Sequence, residues 1–290
     1  MATVGSGVII KNAYQIQNIR KACEMLKRVH DHLRTVIKPG VSTGELDEIA
    51  EKMTRKMGGL PAFKGYRGGR GVPDYPATLC ASINEEIVHG IPSKERILKE
   101  GDIISLDGGV IWKGFYSDGA FTAPVGAVSE TAERIMECSR RCCLESIALA
   151  KPGATTGDLG HACEEIAHSY GFEPVRHLYG HGVGLRLHEP PPIMNYGEPG
   201  TGVELVPGMI IAVETMICEK GWEIETLEDG WTIATVDRGL SAHFEESVLI
   251  TRTGPEILTH INTKDFIPGP HLPAPSPSSA TPSPSPSLTR

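Results

Sequence analysis

The sequence has no Cys-x-x-Cys pair, no basic run, and no apolar leader of signal-peptide or membrane-spanning length. Each absence removes a class of protein. Cysteines stand at 23, 80, 138, 142, 143, 163 and 218. Their odd number and spacing fit free thiols in a reducing compartment, not a disulfide framework or a zinc finger. Lys and Arg total 28 against 36 Asp and Glu, a net charge of −8, which argues against nucleic acid as a direct partner. Near the start the only apolar run is Gly7-Val8-Ile9-Ile10, too short and without a basic lead for a signal or a span. The chain therefore reads as cytoplasmic, with no membrane contact.

What is present is enough to build a large core. At 290 residues and 40% hydrophobic, the chain fits one sizeable domain or two fused halves. In residues 14–37, Ile16, Ile19, Ala22, Cys23, Leu26, Val29 and Leu33 recur at helical spacing. Lys38-Pro39-Gly40 ends that run, and Ser42 or Thr43 ahead of Glu45 is placed as a capping box for a second helix through Met57. The text then repeats. Lys38 to Leu46 is matched by Lys151 to Leu159 at an offset of 113, each copy lying between two helical runs. A second match sets Gly101 on Gly208 and so Asp107 on Glu214. Two halves, about residues 14–125 and 126–259 of a domain spanning 1–265, are thus expected to face each other across a cleft. Each half has two helices and a β-hairpin carrying an acid. The first hairpin is expected to turn at Trp112-Lys113-Gly114, the second to have turn points at Gly221 and Asp229-Gly230. Helices and strands come in separate runs, which gives an α+β class. Residues 266–290 are dominated by Pro and Ser and are expected to form a disordered tail.

Two features carry chemistry. One is Gly180-His181-Gly182-Val183-Gly184-Leu185-Arg186-Leu187-His188-Glu189, in which the histidines lie seven apart, so a bend at the glycines is needed to bring both rings to one cleft. The other is the set Asp107, Asp118, Glu214 and Glu245, acids at strand positions within apolar text. Carboxylates are seldom buried without compensation. Four of them with an imidazole form a ligand set for two divalent ions, with oxygen-rich ligation favouring manganese, iron or cobalt.

On these residues, together with Ala81-Ser82-Ile83-Asn84-Glu85-Glu86-Ile87-Val88-His89-Gly90-Ile91-Pro92 and Ile193-Met194-Asn195-Tyr196, residues 15–259 resemble the type I methionine aminopeptidases. These are metallopeptidases of the pita-bread fold, an antiparallel sheet backed by helices with a pseudo-two-fold repeat. The resemblance implies that Asp107 chelates one metal, Asp118 and Glu245 bridge both, and His181 and Glu214 complete the other shell. It implies attack by a metal-held hydroxide, with Glu214 as proton shuttle, His188 at the scissile carbonyl oxygen, and His89 at the leaving nitrogen or the substrate amine. It also implies a methionine pocket of Phe63, Tyr66, Cys80 and Trp231, and a monovalent cation at Asn84 and Ser241. The substrates would be N-termini of nascent polypeptides with a small second residue, met near the ribosome, and the enzyme would be a monomer.

Five positions depart from the usual family text: Thr215, Gly119, Glu246, Leu187 and Gly109, expected to lie beside the ligands or in the pocket. Two rival readings remain. One is a proline-directed peptidase of the same fold, which usually carries a large extra N-terminal domain. The other is a catalytically weak relative that binds nascent chains or other proteins through the same cleft.

Overall fold

The computed structural model describes residues 7–69 and 71–259, and the backbone of Thr3 and Val4. The expected Pro/Ser tail lies outside the described residues. Among the described residues, four helices, α1 (Ala13–Val36), α2 (Thr43–Lys56), α3 (Glu130–Leu149) and α4 (Thr156–Tyr170), accompany a ten-stranded antiparallel sheet. The central strands run in the order Tyr179–Gly182, Ile210–Cys218, Ser241–Thr251, Phe115–Pro124 and Ile103–Trp112. Glu189–Met194 flanks one side, and Leu60–Pro61 and Leu79–Ile83 both pair with Ile103–Trp112 on the other. No described helix is long and apolar enough to cross a membrane.

The helices form where the apolar spacing places them, and their starts are fixed by side chains. Ser42 caps α2 and exchanges hydrogen bonds with Glu45; Thr155 does the same with Asp158 at the start of α4. Such boxes satisfy amide groups that the first helical turn leaves without partners. The repeated text also makes the same contacts twice. Gly44 N–H donates to Ser93 and Gly157 N–H to Thr201, while Gly40 donates to Leu98 and Gly153 to Leu205.

The first hairpin turns on Lys113 and Gly114, both at positive φ (51° and 82°), as a tight two-residue hairpin requires. The second is more elaborate than the sequence suggests. Ile210–Cys218 and Ser241–Thr251 pair along their length, but the link between them contains the strands Ile224–Thr226 and Ile233–Thr235. These join Glu86–Val88 in a separate three-stranded sheet.

One face of the large sheet is covered by α1 and α3. Leu106, Phe121, Val213, Ile217, Val248 and Ile135 are buried in the main core. Alternation along the strands then decides which residues face away from these helices. Thr215 donates from Oγ1 to the Ser139 carbonyl on α3 at 2.8 Å, so its neighbour Glu214 is turned to the opposite side.

The close approach of α2 and α4 to the loops beneath them depends on glycine. A Cβ at Gly44 would lie 2.8 Å from the Lys94 amide nitrogen, and one at Gly157 would lie 2.5 Å from the Glu198 carbonyl oxygen. Both obstacles are backbone and cannot rotate away. Gly44→Ala and Gly157→Ala should each cost about 1–3 kcal/mol. Gly69→Ala, where nothing lies within 4 Å, should stay within about 0.5 kcal/mol of the parent. Urea denaturation of the three variants checks this ordering; equal stabilities would contradict it.

Candidate metal centre

Strand register brings the acids together. Glu214 lies directly opposite Glu245, and Glu245 opposite Ala120. Asp107 also pairs with Ala120, and Asp118 pairs with Gly109 two residues along. Asp107 and Glu214 are each the fifth residue of a strand, one in each copy of the repeated text.

His181 comes from the neighbouring strand, opposite Ala212. Its Nε2 is 3.6 Å from both Asp118 Oδ2 and Glu214 Oε1. Ligand atoms of Asp107, Asp118 and Glu245 lie within 4.8 Å of one another, as do those of His181, Glu214 and Glu245. The five predicted ligands thus form two triads that share Glu245, and Asp118 also falls in a third group with His181 and His188.

The expected bend is there. Residues 183–188 leave the sheet after Gly182 and return His188 beside His181, with ring centroids 4.3 Å apart. A buried ion pair clamps this loop: Glu189 takes the Lys11 ammonium at 2.8 Å on one oxygen and the amides of Leu185 and Arg186 on the other. His188 Nδ1 lies 2.8 Å from the Tyr66 hydroxyl. His89 has a positive φ of 61° and meets the edge of Trp231.

Beside the cluster is a cavity of about 540 Å³. Phe63, Tyr66, Cys80 and Trp231 line it, as do Tyr75 and Leu187. Tyr75 is buried with its hydroxyl donated to backbone carbonyls of Leu79 and Gly90, and Trp231 donates its indole N–H to Pro73.

Several expectations need correction. Thr215 and Glu246 each follow a cluster acid and so face the other side of the sheet, away from the pocket, whereas Gly119 lies beside Asp118, its amide donating to Oδ1 at 3.1 Å. Glu246 accepts from the Thr259 hydroxyl, and a Cβ on Gly119 would lie 3.4 Å from the Glu245 carbonyl oxygen and 3.5 Å from Leu26 of α1. Gly109 does face the site, but a Cβ there would come within 2.8 Å of Ala62 and 2.9 Å of the Ser117 carbonyl; this backbone leaves no room for a larger residue. Asn84 and Ser241 are adjacent, the Ser241 amide donating to the Asn84 carbonyl. Asn84 Oδ1 accepts from the Ile103 amide and Ser241 Oγ donates to the Ile217 carbonyl.

Comparison with known proteins agrees with this architecture. Residues 17–252 match metallopeptidase family M24. The chain belongs to that family. Methionine aminopeptidase 1 of Bacillus subtilis is 42% identical over 254 residues, 88% of this chain and 100% of that protein. The crystal structure of a methionine aminopeptidase from Thermotoga maritima superposes with a TM-score of 0.84 at 42% identity, covering 87% of this chain and 99% of the other. A prolidase from Pyrococcus furiosus gives a TM-score of 0.70 at 27% identity, covering 87% and 65%.

The cluster fits the divalent cations of an M24 metallopeptidase. Among the described residues, the groups within 4.0 Å of its carboxylate oxygens that could carry positive charge are imidazoles. Burial pushes His181 and His243 down to about 3, so they are neutral at pH 7. Asp107 Oδ1 and Glu245 Oε1 are buried without a hydrogen-bond partner. Burial raises all four carboxyls, Asp107 to about 8, and mutual repulsion adds to the rise at Asp118, Glu214 and Glu245. Such a site takes up either protons or cations.

His243, 1% exposed, was missed in the sequence. Its signal was the pattern His243-Phe244-Glu245, which puts the ring on Glu245's face of a strand.

The raised carboxyls give the metal-free protein a defined pH response. An acid whose folded pKa is raised contributes stability that is complete below its unfolded value, about 4, and is lost as pH rises through the folded value. The metal-free melting temperature should therefore fall from pH 7 to 8, above the range in which the buried, neutral histidines act in the opposite sense. Added manganese should raise it more at pH 8 than at pH 5. A gap between loaded and metal-free protein that narrows with pH would contradict this reading.

Proposed function

We propose that the chain is a methionine aminopeptidase. In this reading Asp107, Asp118, His181, Glu214 and Glu245 hold two divalent cations, manganese, iron or cobalt. The observation that carries it is the apolar cavity set directly against the ligand cluster, with Cys80 paired to Asp107 across adjacent strands. A flexible thioether suits a wall of aromatic rings, sulfur and leucine. The greater identity to methionine aminopeptidases than to the prolidase supports the same choice.

When bound, the cations activate water and polarise the scissile carbonyl. The protein's own groups do the rest. Glu214 takes the proton from the attacking water and returns it to the leaving nitrogen. The Tyr66 hydroxyl, donating to Nδ1 of His188, leaves Nε2–H free to donate to the carbonyl oxygen as charge develops there. His89, pushed down to about 4 by burial, is neutral and serves the leaving nitrogen. The substrates are then N-termini of newly made chains with a small second residue, met in the cytoplasm near the ribosome by a monomeric enzyme.

Metal-free protein reloaded with manganese, iron or cobalt should release free methionine from Met-Ala-Ser. Glu214→Gln should lower kcat by about 10²–10⁴-fold. Faster turnover of an Xaa-Pro peptide would overturn the proposal in favour of a proline-directed enzyme.

A further inference from the structure

His243 stands in the cluster without a part in this reaction. It lies two residues before Glu245 on the strand Ser241–Thr251 and opposite Met216, two residues after Glu214 on the paired strand. Alternation turns His243, Glu245, Met216 and Glu214 to one face. Its Nε2 lies 3.6 Å from Oε2 of Glu214 and 4.0 Å from Oε2 of Glu245. Neither ring nitrogen has a hydrogen-bond partner among the described residues, a costly state for a buried polar group.

His181 provides the contrast. Its Nδ1 is 2.9 Å from the Gly182 carbonyl oxygen. That atom only accepts, so Nδ1 carries the proton and Nε2 is bare, the form in which an imidazole binds a cation. No such acceptor faces Nδ1 of His243. The nearby carboxylate oxygens lie on its Nε2 side, and they favour a proton there. A protonated Nε2 cannot be a ligand, but it can donate.

We propose that His243 is a positioning residue. Its Nε2–H donates to Oε2 of Glu214 and thereby keeps Oε1, the oxygen that faces His181, turned into the cluster. A small rotation of Glu214 closes the 3.6 Å gap to the length of a charge-assisted hydrogen bond. The inference rests on the metal-centre reading above. Partners that orient a ligating side chain typically change metal affinity by about 10–100-fold when removed.

The test compares His243→Leu, which cannot donate, with His243→Gln, whose amide can. Metal-free proteins are titrated with cobalt by calorimetry, and the visible absorption of the loaded forms is recorded. His243→Leu should bind cobalt about 10–100-fold more weakly, whereas His243→Gln should remain within about threefold of the parent with the same cobalt bands. Wild-type affinity in His243→Leu would overturn the proposal. So would weak binding with shifted bands in His243→Gln, which would make His243 a ligand. If His243→Leu does not fold, long-range ¹⁵N–¹H NMR of the zinc-loaded wild type decides: the Nε2–H tautomer is expected, and the Nδ1–H tautomer contradicts it. Failure of the wild-type protein to bind cobalt at all is a separate outcome, and it would remove the metal centre itself together with this role.

Discussion

Four carboxyl groups are held together in a buried site where the nearby groups that could balance them are imidazoles. Burying a charge without compensation is among the most expensive things a fold can do. The site has two ways to be neutral: bind protons, or bind divalent cations. The rest of the molecule serves to keep the acids close despite that cost. Ladder hydrogen bonds fix Glu214 against Glu245, and both Asp107 and Glu245 against Ala120. The apolar side of the same strands is locked under α1 and α3, so the acids cannot separate without exposing the core.

The same logic extends to the loop that delivers His188. It could sample many conformations because it contains Gly184 at a φ of 136°, yet its amides are gathered by Glu189, which Lys11 neutralises from the segment before α1. Removing one partner of such a buried pair typically costs about 3–5 kcal/mol. Here the clamp joins the start of the chain to the site, although the two lie far apart in sequence. It gives a structural reason for the position of His188 that contacts within the loop do not supply.

Much of this was legible in the sequence because it obeys local rules. Helical spacing and the Ser42–Glu45 capping pattern located α1 and α2, and the match of Gly101 to Gly208 put Asp107 and Glu214 at equivalent strand positions. The repeated Lys-Pro-Gly text pointed to paired elements. What escaped depends on distant partners or on applying the two-residue period further than the acids. Glu86–Val88 joins strands from the link between Glu214 and Glu245, a pairing that no local pattern announces. Thr215 and Glu246 looked like neighbours of the site but face the opposite side, since adjacent strand residues point apart. His243 is the converse case, two positions from Glu245 and therefore on its face. Tyr75 reaches the pocket from a loop, and Lys11 reaches Glu189 across 178 residues.

The most direct test of the account is the location of the cations. Crystals of the metal-free protein soaked in manganese, measured at the manganese absorption edge, should show two anomalous peaks. One is expected among Asp107, Asp118 and Glu245, the other among His181, Glu214 and Glu245. No peak within the cluster, with the four carboxyl groups instead protonated and hydrogen-bonded to one another, would contradict it.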